Sequence, residues 1–405
     1  MKLALILHIY QPPTQYDNIL DSITSQCYRP LLSLLIANPA VQVSFNIPAS
    51  LVELWHKNYS QYSDIFSLFR KLSEREQIEL LGSAAYHPLL FKLPKSEIYR
   101  QIKLNERINM QLLPGFNPGG GFFPPELALD SNVLDVVNLC GYEWVLSESP
   151  LANRRVLDQE PFYVLRAQGL GLEIVFRNKS LSLDLAFSRV SSVEEILNKD
   201  VGNPVIALDG ETFGWHRRDG LELLQKMFED NALSFCLASD LVKKQLPTAP
   251  GFKLEKISWG KRGSDPQSIY YPRWENPQNK VHKLQWQLTE LAINAVNNSE
   301  FKIESFNNTT ESAEAIESID SLSPNKKQWF ISRQLLDKAV HSDQYFWADG
   351  DNVWHLGMVE KGADMLRNVV CALPGAEPNV IAQANTLYDK IIATGEELYG
   401  KDVKA

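Results

Sequence analysis

The stretch Pro204-Val205-Ile206-Ala207-Leu208-Asp209-Gly210-Glu211-Thr212-Phe213-Gly214-Trp215-His216 decides how the rest of the chain is read. Residues 205–208 form a short apolar run behind a proline, the pattern of a strand buried on both faces of a parallel sheet. The run ends in two carboxylates one residue apart. If the strand continues through Glu211, Asp209 and Glu211 point to the same side. Gly210 allows the backbone to turn and a ligand to approach closely. Phe213 and Trp215 add flat apolar surface, and His216 adds a titratable ring. In α/β sheets and barrels, ligands bind at the carboxyl ends of strands. Asp-Gly is also a common hairpin turn, and this stretch alone fits either reading.

Similar punctuation recurs upstream. Residues 3–7 read as a first strand ending in His8-Ile9-Tyr10-Gln11-Pro12-Pro13. Residues 42–47 and 77–81 read as strands two and three, the latter ending in Gly82-Ser83-Ala84-Ala85-Tyr86-His87-Pro88. Residues 142–146, 172–176 and 233–237 complete the set. Helical stretches fall around 28–36 and from Ile98 through Ile102 towards Met110. Apolar strands alternating with helices, with polar residues just past the strand ends, argue for parallel βαβ units and favour a barrel over an open sheet. After about residue 260 the period changes. Val281, Leu284, Leu288, Leu291 and Ala295 step by three and four, as do Ile331, Leu335 and Ala339. Met358, Met365, Val369 and Ala372 repeat the pattern, as do Val380, Ala384, Leu387, Ile391 and Leu398. These stripes predict amphipathic helices, hence a barrel domain over 1–260 and a helical bundle over 261–405. The polar segment 297–325 reads as a loop with one short helix.

The 405 residues, 44% hydrophobic and 22% charged, suit a globular protein with more than one domain. A net charge of -9 disfavours nucleic acid or an anionic membrane as partner. No apolar run is long enough to span a bilayer, and the run before His8 is too short for a signal peptide. Cys27, Cys140, Cys236 and Cys371 lie far apart among apolar residues and read as buried thiols in a reducing, cytoplasmic setting. Nothing in the sequence specifies an oligomeric state.

Several residues could carry chemistry. His8 and Gln11 offer a donor and an acceptor at fixed places for a hydroxyl-rich ligand, though His8 would equally cap a strand end. Glu79 lies inside an apolar strand and must be paired or line a cavity. His87 closes the same segment. Glu126, behind Phe122-Phe123-Pro124-Pro125, is held by a backbone the prolines stiffen, as a nucleophile requires. Pro-Pro-Glu is also an ordinary helix start. Glu126 with Asp209 suggests paired-carboxylate chemistry, of which glycoside hydrolysis is the commonest use. Trp144, Trp215, Trp259, Trp274 and Trp347 could stack on sugars or fill the core.

Five separated stretches in order resemble glycoside hydrolase family 57: His8-Ile9-Tyr10-Gln11-Pro12, Glu76-Gln77-Ile78-Glu79-Leu80, Phe122-Phe123-Pro124-Pro125-Glu126, Leu208-Asp209-Gly210-Glu211-Thr212-Phe213-Gly214 and Ser342-Asp343-Gln344-Tyr345-Phe346-Trp347. The second usually opens with Gly where this chain has Glu76. The third usually carries a Trp that is absent here, and Asn178 stands where the family often has Asp. The resemblance implies an incomplete (β/α)7 barrel followed by a helical bundle that contributes to the active site, and an α-glucan or related oligosaccharide as substrate. It implies a retaining hydrolase or transglycosylase with no metal and no other cofactor, Glu126 as nucleophile and Asp209 as general acid/base. His8, Gln11, Glu79, His87, Glu211, Trp215, His216, Asp343 and Trp347 are then the substrate-binding candidates. Two rivals stay open: a metal-dependent carbohydrate deacetylase using His8, His87, Asp209 and His216 as ligands, and a catalytically silent glycan-binding protein.

Overall fold

The computed structural model describes residues 1–148, 164–166, 171–199, 201–242, 256–262, 264–266, 268–302, 322–350 and 353–401. The chain divides into two compact units. The first holds Met1–Gln11, Gln15–Ala85 and Ile102–Ile257, and the second Pro12–Thr14, Tyr86–Gln101 and Ser258–Ala405.

The first unit carries nine described strands: β1 (Lys2–His8), β2 (Val43–Asn46), β3 (Ile78–Leu81), β4 (Gly121–Phe122), β5 (Trp144–Ser147), β6 (Val164–Arg166), β7 (Glu173–Phe176), β8 (Val205–Asp209) and β9 (Ser234–Cys236). One sheet has the order β3-β2-β1-β8, with β9 also paired to β1, and the other β4-β5-β7-β6. Among these strands the pairings are parallel except β6 with β7. An isolated parallel bridge joins Gly82 to Phe122, just past β3 and within β4. Beyond β7, the Asn178 N–H donates to the Val205 carbonyl of β8 at 2.6 Å.

β1 shows why such sequences form interior strands. From Leu3 to His8 every residue is buried. Leu3, Leu5 and Leu7 join a core cluster with Val43 and Phe45 of β2, Ile206 and Leu208 of β8, and Trp55, Phe66 and Phe69 from the helices Ala49–Lys57 and Tyr59–Glu74. Ala4, Ile6 and His8 alternate onto the other face. Only a strand covered on both sides can be apolar at every position.

In the second unit four long helices pack on one another: Lys280–Asn297, Pro324–Ala339, Leu356–Cys371 and Pro378–Tyr399. Two expected stripes need correction. Ile331 is 52% exposed, and Leu398 also faces solvent. The buried face of Pro324–Ala339 instead includes Trp329, Arg333, Leu336 and Asp337. Arg333 pairs with Glu97 and Asp337 at 2.7 and 2.8 Å, and Arg100 pairs with Asp337 at 2.7 Å. A period count scores arginine as solvent-facing, whereas here its charge is buried because two carboxylates meet it. Cys371, expected to be buried, is exposed. The polar segment expected as a loop falls mostly at 303–321, outside the described residues. No helix among the described residues is long and apolar enough to cross a membrane.

Position 76 has a physical account. After the helix Tyr59–Glu74, the Glu76 N–H donates to the Ser73 carbonyl and the Gln77 N–H to the Leu72 carbonyl. This pair of bonds is a Schellman cap, which places residue 76 in the left-handed region, and Glu76 has φ 53°. Glycine suits that position without the clash of a Cβ with the backbone. Glu76→Gly should therefore stabilise the protein by about 1 kcal/mol, read as a higher urea midpoint with an unchanged slope; a lower midpoint would refute the cap.

Candidate active site

β1 and β8 run side by side in register, and His8 and Asp209 are Cα partners at their carboxyl ends. The strand stops at Asp209. Gly210–Thr212 forms a single 3-10 turn, so Glu211 does not extend the strand as the sequence reading allowed. Gly210 makes this possible: a Cβ there would lie 2.4 Å from Ile9 Cγ2. The turn carries the buried Glu211 side chain back towards the loop after β1.

Three donors converge on one oxygen there. Glu211 Oε1 accepts from the Tyr10 N–H at 3.2 Å, from Gln11 Nε2 at 3.3 Å and from the Tyr28 hydroxyl. Gln11 Nε2 also donates to Tyr28 Oη at 2.8 Å, and Gln11 Oε1 accepts from Gln15 Nε2 at 2.6 Å. Gln11, expected to meet substrate, is thus engaged with the Glu211 carboxyl. Tyr28 closes the π-helical segment Thr24–Tyr28. Pro30 follows, which lacks an N–H and whose ring would crowd the Gln26 carbonyl four residues back. Gly214 packs against that carbonyl: with φ 113°, its Cβ would lie 2.3 Å from Gln26 O.

Burial pushes the carboxyl of Asp209 above its usual range, against the lowering charge of Arg177. It does the same to Glu211, which the Asp209 charge raises further while the Tyr28 hydroxyl opposes the rise. Two adjacent carboxyls so placed hold one proton between them across neutral pH. Arg177 is itself buried, ion-paired with Glu148 at 2.7 Å, and donates to the Ala207 carbonyl at 2.9 Å.

Glu126 is not a helix-start acid. It lies in the one-turn segment Pro125–Leu127 with φ 60° and ψ 15°, and Leu127 follows at φ 46°. The next helix begins only at Ser131, capped by Asp130 accepting from the Val133 N–H at 3.0 Å. Two consecutive non-glycine residues in the left-handed region are costly, and such strain clusters at functional sites. His8 links this loop to Asp209. Its ring stacks on Phe123 with centroids 4.9 Å apart and planes 9° from parallel. Its Nδ1 lies 2.7 Å from Asn46 Oδ1, an oxygen that can only accept, so Nδ1 carries the hydrogen.

The remaining candidates have their own local partners. Glu79 accepts from the Ser44 hydroxyl and from the N–H and hydroxyl of Ser239, tying β2 and β3 to the helix Ser239–Val242. Trp215 is half-buried against the core cluster and His216 is exposed; both backbone N–H groups donate to the Glu211 carbonyl. In the second unit His87 Nδ1 lies 3.0 Å from Ser342 Oγ, Asp343 Oδ2 lies 3.6 Å from His341 Nδ1, and Trp347 packs edge-on to His355. Trp144 and Trp274 are core. Asn178 caps the helix Lys179–Ala186 by accepting from the Leu181 N–H, a role Asp fills as well. Among the described residues, no group of three or more His, Cys, Asp or Glu could hold a metal ion. The sequence reading missed Tyr28; Pro30, two residues on in the first turn of the helix Arg29–Ala37, was the available signal.

The chain matches the family described as Glycosyl hydrolase family 57 over residues 5–251. It belongs to that family. An α-amylase of Pyrococcus horikoshii is 25% identical over 276 residues, 62% of this chain and 43% of the relative. A 4-α-glucanotransferase of Thermococcus kodakarensis is 30% identical over 101 residues, 25% of this chain and 15% of the relative. This family 57 chain therefore spans less than half the length of these curated relatives. Among solved structures, a family 57 branching enzyme from Pyrococcus horikoshii aligns with TM-score 0.67 at 14% identity, over 98% of this chain and 94% of that one. An α-amylase from Thermotoga maritima aligns with TM-score 0.60 at 13% identity, over 99% and 97%. At these identities the likeness shows the fold.

The buried carboxyls have a consequence for stability. A group whose folded pKa is raised binds more protons folded than unfolded, so its contribution is complete below the unfolded pKa and is lost as pH rises through the folded one. For the coupled Asp209–Glu211 pair, which keeps its last proton to about 8, that window runs from about 4.5 to about 8. Glu211→Gln, which cannot ionise, should therefore gain in melting temperature relative to the parent protein as pH rises from 5 to 8. Parallel melting curves across that range would contradict the assignment.

Proposed function

We propose that this protein is a retaining enzyme acting on α-glucans, a hydrolase or transglycosylase, with Glu126 as nucleophile and Asp209 as general acid/base. The observation that carries the reading is the loop that presents Glu126. Its side chain leaves a strained left-handed backbone, and the stacked pair Phe123–His8 ties the start of that loop to the strand end bearing Asp209. The family, and relatives named α-amylase and 4-α-glucanotransferase, support α-glucan as the substrate class.

In this reading the two sheets of the first unit are one incomplete (β/α)7 barrel. The bridge from Gly82 to Phe122 and the bond from Asn178 to Val205 support it, because they join the two sheets at two seams. The ring then runs β1-β2-β3-β4-β5-β7-β8, seven strands. The four helices of the second unit are the C-terminal bundle.

The chemistry follows from two carboxyls in different states. Glu126, ionised, attacks the anomeric carbon as the glycosidic C–O bond breaks, and Asp209 gives its proton to the departing oxygen. Asp209, now charged, takes a proton from water or from an acceptor hydroxyl, whose oxygen displaces Glu126. Two inversions retain the configuration, and the carboxyls need a separation of about 5–5.5 Å.

The roles separate by azide rescue. Glu126→Ala should lower turnover on an aryl α-glycoside by several orders of magnitude, and azide should restore it through direct attack, giving the β-azide. Asp209→Ala should spare the first step on that substrate, and azide should intercept the glycosyl-enzyme to give the α-azide. Near-normal turnover by Glu126→Ala would remove the nucleophile assignment.

A further inference from the structure

We infer that Tyr28, a residue outside the motif stretches, is a positioning residue for catalysis: its hydroxyl holds Glu211 as the charged member of the Asp209–Glu211 pair and so keeps the pair's proton on Asp209. The inference rests on Asp209 being the general acid.

The geometry decides which carboxyl is charged. Three donors meet Glu211 Oε1, namely the Tyr10 N–H, Gln11 Nε2 and the Tyr28 hydroxyl. An oxygen receiving three hydrogens is stabilised as a carboxylate, since each bond strengthens with the acceptor's charge. Burial raises both carboxyls, and the Asp209 charge raises Glu211 further, while the donors on Oε1 oppose that rise and favour charge on Glu211. A proton on Asp209 is also the state a general acid needs before the first step.

The other groups around the pair do not reverse this. Arg177 favours charge on Asp209, but it is shared with Glu148, which Lys179 also approaches at 3.4 Å. Cys27 donates its thiol to the Gly210 carbonyl at 3.2 Å, and burial keeps it protonated. The Tyr28 phenol is likewise kept protonated by burial and by the Glu211 charge, so it donates at every working pH. His8, partner of Asp209 across the strands, is turned by its Nδ1 contact to Asn46. His216, in the turn after Glu211, is exposed.

Tyr28 is placed by its local backbone. The π-helical segment Thr24–Tyr28 rotates the phenol relative to a continuous α-helix, and π segments of this kind recur at functional sites. Pro30 cannot donate to the Gln26 carbonyl, and Gly214 makes room for that carbonyl.

The test is the pH dependence of kcat/KM for Tyr28→Phe on two substrates. A maltooligosaccharide needs its leaving oxygen protonated; an aryl α-glycoside with an acidic phenol does not. With the donor gone, Glu211 keeps a proton to higher pH and Asp209 loses its own at lower pH. The basic limb should move down by about one pH unit with the oligosaccharide, a tenfold loss above the limb, and the aryl glycoside should show no matching loss. Gln11→Leu removes a second donor and should shift the limb the same way, which covers the case in which Tyr28→Phe fails to fold. Equal losses on both substrates with an unmoved limb, or an upward shift, would overturn the inference. Asp209→Asn runs alongside. If it keeps full activity on the oligosaccharide, the acid assignment itself falls; if it loses that activity while the limb in Tyr28→Phe stays fixed, only the role of Tyr28 falls.

Discussion

The site depends on one carboxyl oxygen, Glu211 Oε1, and on the donors that fold around it. A buried acid without partners would be among the most destabilising groups a core could hold. Here the turn Gly210–Thr212 delivers it to Tyr10, Gln11 and Tyr28, which belong to the loop after β1 and to the helix that follows. Much local detail is subordinate to that meeting. Gly210 lets β8 turn against Ile9, Gly214 lets the chain lie on the Gln26 carbonyl, and a π-helical segment ending at Tyr28 carries the phenol. A polar network of this kind favours one arrangement of the strand ends, because any slip would strand its members without partners.

The second acid is positioned by different means. A strained turn presents Glu126. Stiff prolines precede it, two left-handed residues follow one another, and the aromatic stack of Phe123 on His8 anchors the loop's base. Asp209 sits at the end of a regular strand, with its environment adjusted by Arg177 and Glu211. In the proposed roles the nucleophile is fixed by backbone and the acid by electrostatics, the division of labour expected when one carboxyl must be charged and the other protonated.

Strands were legible wherever burial on both faces made them apolar at successive positions, as in β1, β7 and β8. β4, two residues in a Pro- and Gly-rich loop, has no such run and could not be read. The register of β1 against β8, which sets His8 beside Asp209, arises from long-range pairing and has no local signal. Periodicity found the long helices of the second unit but misjudged the face of Pro324–Ala339, where Arg333 and Asp337 are buried as a pair. The motif residues split for a similar reason. Asp209, Glu211, His8 and Gln11 come together, while Glu79 is spent on Ser44 and Ser239, because a carboxylate in a strand looks the same in sequence whether it meets a ligand or a hydroxyl of its own fold.

The central claim is that a covalent glycosyl-enzyme forms on Glu126. A fluorinated α-glycosyl fluoride, whose ring fluorine slows both steps while the good leaving group spares the first, should accumulate that species. Proteolysis and mass spectrometry of the inactivated protein should then find one added glycosyl group, on the peptide containing Glu126 and on that side chain. Attachment to Asp209 or to another residue, or steady turnover of the reagent by a protein that never carries a sugar, would contradict the account.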